Sequence, residues 1–458
     1  MTKGKPFPII IQFCLPILFG AMFQQAYSLI DAFIVRRFIG LNEMGAVLST
    51  GPLQFLVLGF TWGITTGFSI PISQAFGAGD LCEMRKRVAN SLYLCGIIAV
   101  ALAAITVTFI RPLLVVMQTP EATIDAAYNY IVVIFAGIPV ILCYNIFIAI
   151  LRALGDSKTP LYFLGISCVL NIVLDIVFIV VFKWGTSGVG WATVVSMTFA
   201  TVLCLIHIRR SFYILRFLKG ELRFCRSRCG ILLKNGIPMA LQFSITAIGS
   251  VVLQSAMNGF GPVVVSAVAT AAKIQVFVMQ PMEALGITMA TYCAQNLGAG
   301  KLLRIKKGIS LSMVTVLCYS VFAGVLIVFG GRWLAYPLIV LGAESEQDIA
   351  NIAIAMPYIK QFQIANGSLY WLLGILFVIR NSIQGLGYSK VTVLAGVSEL
   401  FARAGVAFLL VPFFGFRAIC FANSLAWLFA DILLIIIFIF LMKKLSNIPR
   451  RELGKKIL

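Results

Sequence analysis

The sequence predicts an all-α polytopic membrane protein with twelve transmembrane helices in two parallel six-helix repeats. Three observations predict it. Apolar runs long enough to cross a bilayer recur along the chain, basic residues alternate between successive loops, and the second half repeats motifs of the first. The chain is 60% hydrophobic and 11% charged, too little charge for the surface of a soluble protein of 458 residues.

The runs fall at 8–35, 45–72, 88–110, 126–151, 160–182, 187–208, 231–256, 263–293, 309–330, 355–379, 390–412 and 417–442. The first is too long for a signal-peptide core and no small-x-small cleavage site follows it, so it is expected to remain as a span. The second leads into SQAFGAGD (Ser73–Asp80), whose glycines suit a tight exit from the membrane. The fourth contains Pro139, and prolines also lie inside the first, second, seventh and eighth runs at Pro16, Pro71, Pro238 and Pro281. Each is expected to mark a bend. The fifth carries Asn171 and Asp175, and the sixth ends near the single histidine, His207. Residues 209–230 form a basic linker, part of which is expected to lie as an amphipathic helix on anionic lipid. The predicted units are therefore 1–208, the linker 209–230, a second unit 231–442 and a tail 443–458.

The formal charge of +20 would suggest nucleic acid in a soluble protein, but its distribution points to topology. The 36 Lys and Arg concentrate on the termini and on alternate loops, whereas the opposite loops hold Arg36, Arg37, Arg111, Lys183, Arg332 and Arg417. By the positive-inside rule both termini are cytoplasmic, at the inner membrane of the cell. No nucleic-acid partner is expected. Eleven scattered cysteines without a CxxC pair, and one histidine, give no expectation of a metal site, a cofactor or an enzyme.

The duplication is explicit. AQNLGAGK (Ala294–Lys301) repeats SQAFGAGD at an offset that also places Gly261, Ala267 and Gln275 on Gly40, Ala46 and Gln54. LGYSK (Leu386–Lys390) repeats LGDSK (Leu154–Lys158), and Pro238 matches Pro16. An even number of crossings per copy makes the repeats parallel, and such halves commonly bind substrate between them. GAGK lacks both the preceding glycine and the following Ser or Thr of a phosphate loop, so no nucleotide site is read there.

Of sixteen Asp and Glu, five sit deep inside apolar runs: Asp31, Asp175, Glu283, Glu399 and Asp431. Such residues are costly in a bilayer and mark function by default. Counted at the rise of a helix, Asp31, Tyr130, Asn171, Asp175 and Thr193 share a layer roughly 6–18 Å below the outer surface. Asn171 and Asp175, at i and i+4, face the same way. Two carboxylates, an amide, a hydroxyl and a phenol suit a proton or an alkali cation, with Na⁺ a candidate at Asp31, Asn171 and Asp175. In the second half, Lys273, Gln275, Glu283, Glu399 and Arg403 are candidates to line a substrate cavity. Glu399 and Arg403 are spaced to pair, and Lys273 to line a cavity or reach the neighbourhood of Glu283.

The stretches Leu15–Gly40, Gly51–Asp80 and Leu151–Pro160, with AQNLGAGK and NSIQGLGYSK (Asn381–Lys390), resemble the multidrug and toxic compound extrusion (MATE) transporters, in particular their prokaryotic DinF-like branch. The resemblance implies a V-shaped, two-lobe antiporter that exports organic, often cationic or amphipathic, compounds in exchange for H⁺ or Na⁺ by alternating access. It implies a coupling site at Asp31, Tyr130, Asn171, Asp175 and Thr193, a conformational role for Pro16, small organic molecules and the bilayer as partners, and work as a monomer. Arg36 stands where glycine is frequent in the family, and the seventh run lacks the acid of another branch. A lipid-linked precursor flippase of related duplicated fold is the alternative.

Overall fold

A computed structural model describes residues 1–117, 121–340 and 346–448. The first lobe comprises α1 (Pro6–Phe38), α2 (Leu41–Ser49), α3 (Gly51–Ala78), α4 (Leu81–Val116), α5 (Glu121–Ala136), α6 (Ile138–Ala153), α7 (Lys158–Ile176) and α8 (Gly185–Ser211). The second comprises α9 (Arg226–Asn258), α10 (Pro262–Gly298), α11 (Leu302–Val340), α12 (Glu346–Gly367), α13 (Tyr370–Gly385), α14 (Ser389–Gly405), α15 (Val411–Phe414) and α16 (Phe416–Ser446). Ten helices, one of them α14 continued through α15, are individually long and apolar enough to cross a membrane. Two pairs, α5 with α6 and α12 with α13, bend by 50° and 48° and complete twelve crossings. Phe329, Trp333 and Phe413 lie on an exposed apolar surface of the kind a bilayer covers.

The bends show the duplication more plainly than the sequence does. Pro139 stands at the start of α6, where its missing N–H breaks the ladder. The second bend, at Ser368 and Leu369, has no proline in the break, yet residue 369 is the repeat equivalent of 137 under the register that aligns Leu386 with Leu154. The fifth crossing of each repeat ends in a π-helical turn, Val177–Val181 and Val406–Leu410. Left-handed glycines recur in pairs, Gly79 with Gly300 and Gly155 with Gly387.

Three details differ from the sequence expectation. The second crossing begins at Gly51 rather than 45, because residues 41–49 form the separate helix α2. The linker is no amphipathic α-helix: α8 continues to Ser211, one 3-10 turn covers Tyr213–Leu215, and the rest is irregular until α9 starts at Arg226. Side chains of α4 impose that path. Arg85 forks onto Glu221 (2.7 and 2.8 Å), Glu83 receives Arg87 (3.1 Å) and Arg228 (3.0 Å), and Tyr93 donates to the Leu222 carbonyl (2.9 Å). The Asn90 carbonyl accepts from the Cys225 amide (2.8 Å). Finally, α16 runs through Ser446, into the expected tail, whose residues 449–458 lie outside the described residues.

The lobes meet toward the face that carries the N-terminus and the basic loops. A Cβ on Gly63 or Gly67 of α3 would strike the backbone of Ala240 or Gly236 on α9. At the basic ends, a Cβ on Gly77 would strike the Gln295 carbonyl and one on Gly298 the Gln74 carbonyl. Each of those glutamines then reaches across to the other lobe. Gln74 donates to the Gly385 carbonyl (3.3 Å) and Gln295 to the Ala153 carbonyl (2.8 Å). The lobes are thus closed on each other at the basic face.

Candidate functional site

The first-lobe site is built on α1, α7 and α8, with α5 and α3 behind. On α7, the one-turn spacing of Asn171 and Asp175 puts both on the inner side of the helix, 1% and 0% exposed. The Asn171 amide, oriented so that its neighbours are satisfied, joins the elements. Its NH₂ donates to Asp31 Oδ1 (3.0 Å) and Asp175 Oδ2 (3.3 Å), and its carbonyl accepts from the Thr193 backbone N–H (3.1 Å). The carboxyl groups of Asp31 and Asp175 are themselves within hydrogen-bonding reach, while Asp175 Oδ1 is buried without a donor. Two carboxylates in contact repel unless a proton or another cation lies between them, and in a membrane no solvent relieves the repulsion.

Of the sequence candidates, Asp31, Asn171, Asp175 and Thr193 are thus brought together. Tyr130 stands behind them, within hydrogen-bonding reach of Gln54. The structure adds Tyr27, which reaches Asp31 and lies 3.4 Å from Thr193 Oγ1. Tyr27 is one turn before Asp31, so the i, i+4 spacing that singled out Asn171 would also have found it. Gln54 was visible only as the repeat partner of Gln275. Among the described residues no group of three His, Cys, Asp or Glu could hold a metal ion. The carboxyl oxygens of Asp31 and Asp175 with the Tyr27 and Thr193 hydroxyls fit a proton or a hard monovalent cation. Asn171 in this orientation donates to the acids and does not offer them its carbonyl.

Pro16 stands at a change of partner along α1. Ile10, Phe13, Cys14 and Ile17 pack into the core of the second lobe, Cys14 within hydrogen-bonding reach of Thr288 on α10. Gly20 already faces Leu161 and Leu164 on α7. The helix that carries Asp31 in one lobe is therefore rooted in the other.

In the second lobe Arg403 reaches Glu399 (3.3 Å) along α14. Arg380 of α13 approaches the other Glu399 oxygen (3.5 Å), Asn423 accepts from Arg403 (3.3 Å), and the Gln242 carbonyl, suitably oriented, accepts from Arg380 (3.3 Å). Asp431, 2% exposed, has neither carboxyl oxygen hydrogen-bonded. Lys273 is exposed on α10 and Gln275 buried beside it. The cations acting on Glu283 are Arg380 and Arg152, from opposite lobes, so the expected approach of Lys273 is replaced by these two. Arg380 escaped sequence reasoning because the apolar run stopped at 379 and left it to a loop. Helix α13 continues five residues beyond it.

These lobes correspond to what is known of other proteins. A profile of the MatE family matches residues 16–177 and 238–409, one stretch in each repeat. The chain belongs to the MATE family. It is a multi-pass membrane transporter of a multidrug efflux family. Probable multidrug resistance protein YoeA of Bacillus subtilis is 30% identical over 323 residues, 69% of each chain. Probable multidrug resistance protein YpnP of the same organism is 27% identical over 435 residues, 94% of each. An FAD transporter of Shewanella oneidensis is 22% identical over 335 residues, covering 71% of this chain and 73% of its own. Among solved structures, a MOP superfamily transporter from Pyrococcus furiosus superimposes with a TM-score of 0.89 over 98% of each chain at 20% identity, a likeness of fold.

Proposed function

We propose that this MATE protein is a cation-coupled secondary antiporter that exports organic compounds, with its basic face in the cytoplasm of the cell and its coupling cation, H⁺ or Na⁺, held between Asp31 and Asp175. The observation that carries the reading is the pair of contacting carboxyl groups bridged by Asn171, with one buried oxygen lacking a donor. Positive-inside topology supports the orientation: both termini and the face at which the lobes close on each other are cytoplasmic. Inward cation movement then drives outward substrate movement, provided the loaded and unloaded site favour different conformations. Helix α1 supplies a route for that linkage, because Asp31 and the Pro16 region are anchored in different lobes.

The test is efflux of a fluorescent organic cation from preloaded proteoliposomes under an imposed Na⁺ or pH gradient, wild type beside Asp175→Asn. Efflux driven by one gradient and lost in the variant is expected, and it names the ion. Equal activity of the variant would remove the coupling role of the pair. A second reading, a carrier of an anionic or lipid-linked substrate, is favoured by the two cations, Arg152 and Arg380, that act on Glu283 from opposite lobes. It predicts that an anionic dye is moved in the same assay and the cationic dye is not.

A further inference from the structure

Beneath the linker lies a cavity of about 490 Å³, lined by none of the acid-pair or second-lobe site residues described above. Its walls are apolar side chains of three membrane helices, among them Leu92 of α4, Phe147 of α6 and Leu205 of α8, with Phe212 of the linker as its cover. Two cations stand at its rim, Arg209 in the last turn of α8 and Arg216 just past the 3-10 turn. Both are exposed, and neither forms an ion pair among the described residues. Arg216 lies 4.3 Å from the Tyr213 ring centre, which holds its guanidinium in place.

The cover is fixed at its other end. The Arg85–Glu221 fork and the Asn90–Cys225 bond tie the linker to α4, so the cavity persists between linker and helices. Its apolar depth runs into the membrane along α4, α6 and α8, and its charged rim is level with the basic ends of those helices. The occupant must therefore have an apolar body within the bilayer and an anionic group at the level of the headgroups. Arginine forks match phosphate oxygens in geometry as well as charge. Basic pockets between membrane helices on the positive side are typical sites for such headgroups.

We propose that this cavity takes an acyl chain of an anionic phospholipid whose headgroup phosphate pairs with Arg209 and Arg216, and that the bound lipid pins the linker between the lobes. The site depends on neither the coupling ion nor the exported substrate. A zwitterionic lipid offers the same chain and phosphate but a compensating cation, so preference for net negative charge is the signature.

The measurement is native mass spectrometry of the purified full chain titrated with phosphatidylglycerol or phosphatidylcholine of identical acyl chains. Wild type should retain one phosphatidylglycerol in clear preference to phosphatidylcholine. At the usual worth of a basic residue beside anionic lipid, Arg209→Ala with Arg216→Ala should weaken that binding about 30-fold. The corresponding pair of lysine substitutions, which keeps the charge, should retain most of the preference. Leu205→Trp, which fills the cavity, should reduce retention of both lipids. Equal retention of the two lipids by wild type, or an unchanged preference in the double alanine variant, overturns the proposal. Photoactivatable phosphatidylglycerol on unmodified protein gives a measurement independent of variant folding. Crosslinks concentrated at residues 147–150 and 205–217 support the site, and crosslinks spread evenly over the lipid-facing helices refute it.

Discussion

Gly77→Ala adds one methyl group at the place where the two lobes touch most closely. The new carbon would lie 2.6 Å from the Gln295 carbonyl carbon and 2.7 Å from its Cα, inside the distance any real contact allows. The obstacle is main chain on a second helix, so no side-chain rotation relieves it and the basic ends of α3 and α10 must separate. Overpacking of this kind costs about 1–3 kcal/mol. The cost falls only on the conformation closed at the basic face, so the balance of conformations shifts about 5- to 150-fold toward the one open there. Spin labels at Lys158→Cys and Lys390→Cys, exposed equivalents in the two lobes, measure that separation in a background freed of reactive thiols. Wild type should give predominantly the short distance and Gly77→Ala a substantial long one, with slower efflux. Gly165→Ala is the control, since a Cβ there meets no atom within 4 Å. An unchanged distance distribution in Gly77→Ala would refute the view that backbone contact of α3 with α10 limits the closed state.

Two further outcomes follow from the polar geometry. Tyr27→Phe removes a hydroxyl that reaches both Asp31 and Thr193, an interaction worth about 0.5–1.5 kcal/mol. The cation concentration for half-maximal efflux should rise about 2- to 13-fold with the saturating rate largely kept, and an unaltered dependence would place Tyr27 outside the site. The Arg85 fork, with the Leu218 amide, holds the Glu221 carboxyl down at about 2, against an ordinary 4.5. A folded value below the unfolded one means that its contribution is complete above about pH 4.5 and is lost as the pH falls toward 2. Glu221→Gln should therefore expose the linker to protease at neutral pH, whereas wild type should show that exposure only in the acid window.

The twelve crossings were legible because a bilayer imposes one length and one polarity on every span. The positions of Asp31, Asn171, Asp175 and Thr193 were legible for a related reason: an acid in hydrocarbon stands out, and helical rise gives its depth. Arg380 was hidden by the same signal. A charge near the end of an apolar run looks like a loop residue, and only the packing of α13 against α14 draws it inside beside Glu399. The bend at Ser368 was hidden because no proline marks it, although its counterpart carries Pro139. The linker misled because its alternating basic and apolar residues fit an amphipathic helix. Its path is set by Glu83, Arg85 and Asn90, residues of another element that no local pattern reveals.

The crossed glutamines have a consequence for how the protein can diverge. Gln74 and Gln295 are received by main-chain carbonyls, at Gly385 and Ala153, rather than by side chains. A carbonyl survives substitution of side chains around it, so the turns that follow the receiving residues are free to drift in composition without loosening the clasp, provided their backbone path is kept. Gly385 itself is held, because a Cβ there would strike the Ala290 backbone. The sequences carry that freedom already: LGDSK and LGYSK differ at Asp156 and Tyr388, while Gly155 and Gly387 keep the same left-handed turn. Descendants of this chain can rewrite the chemistry around the closed end and inherit the closure itself intact.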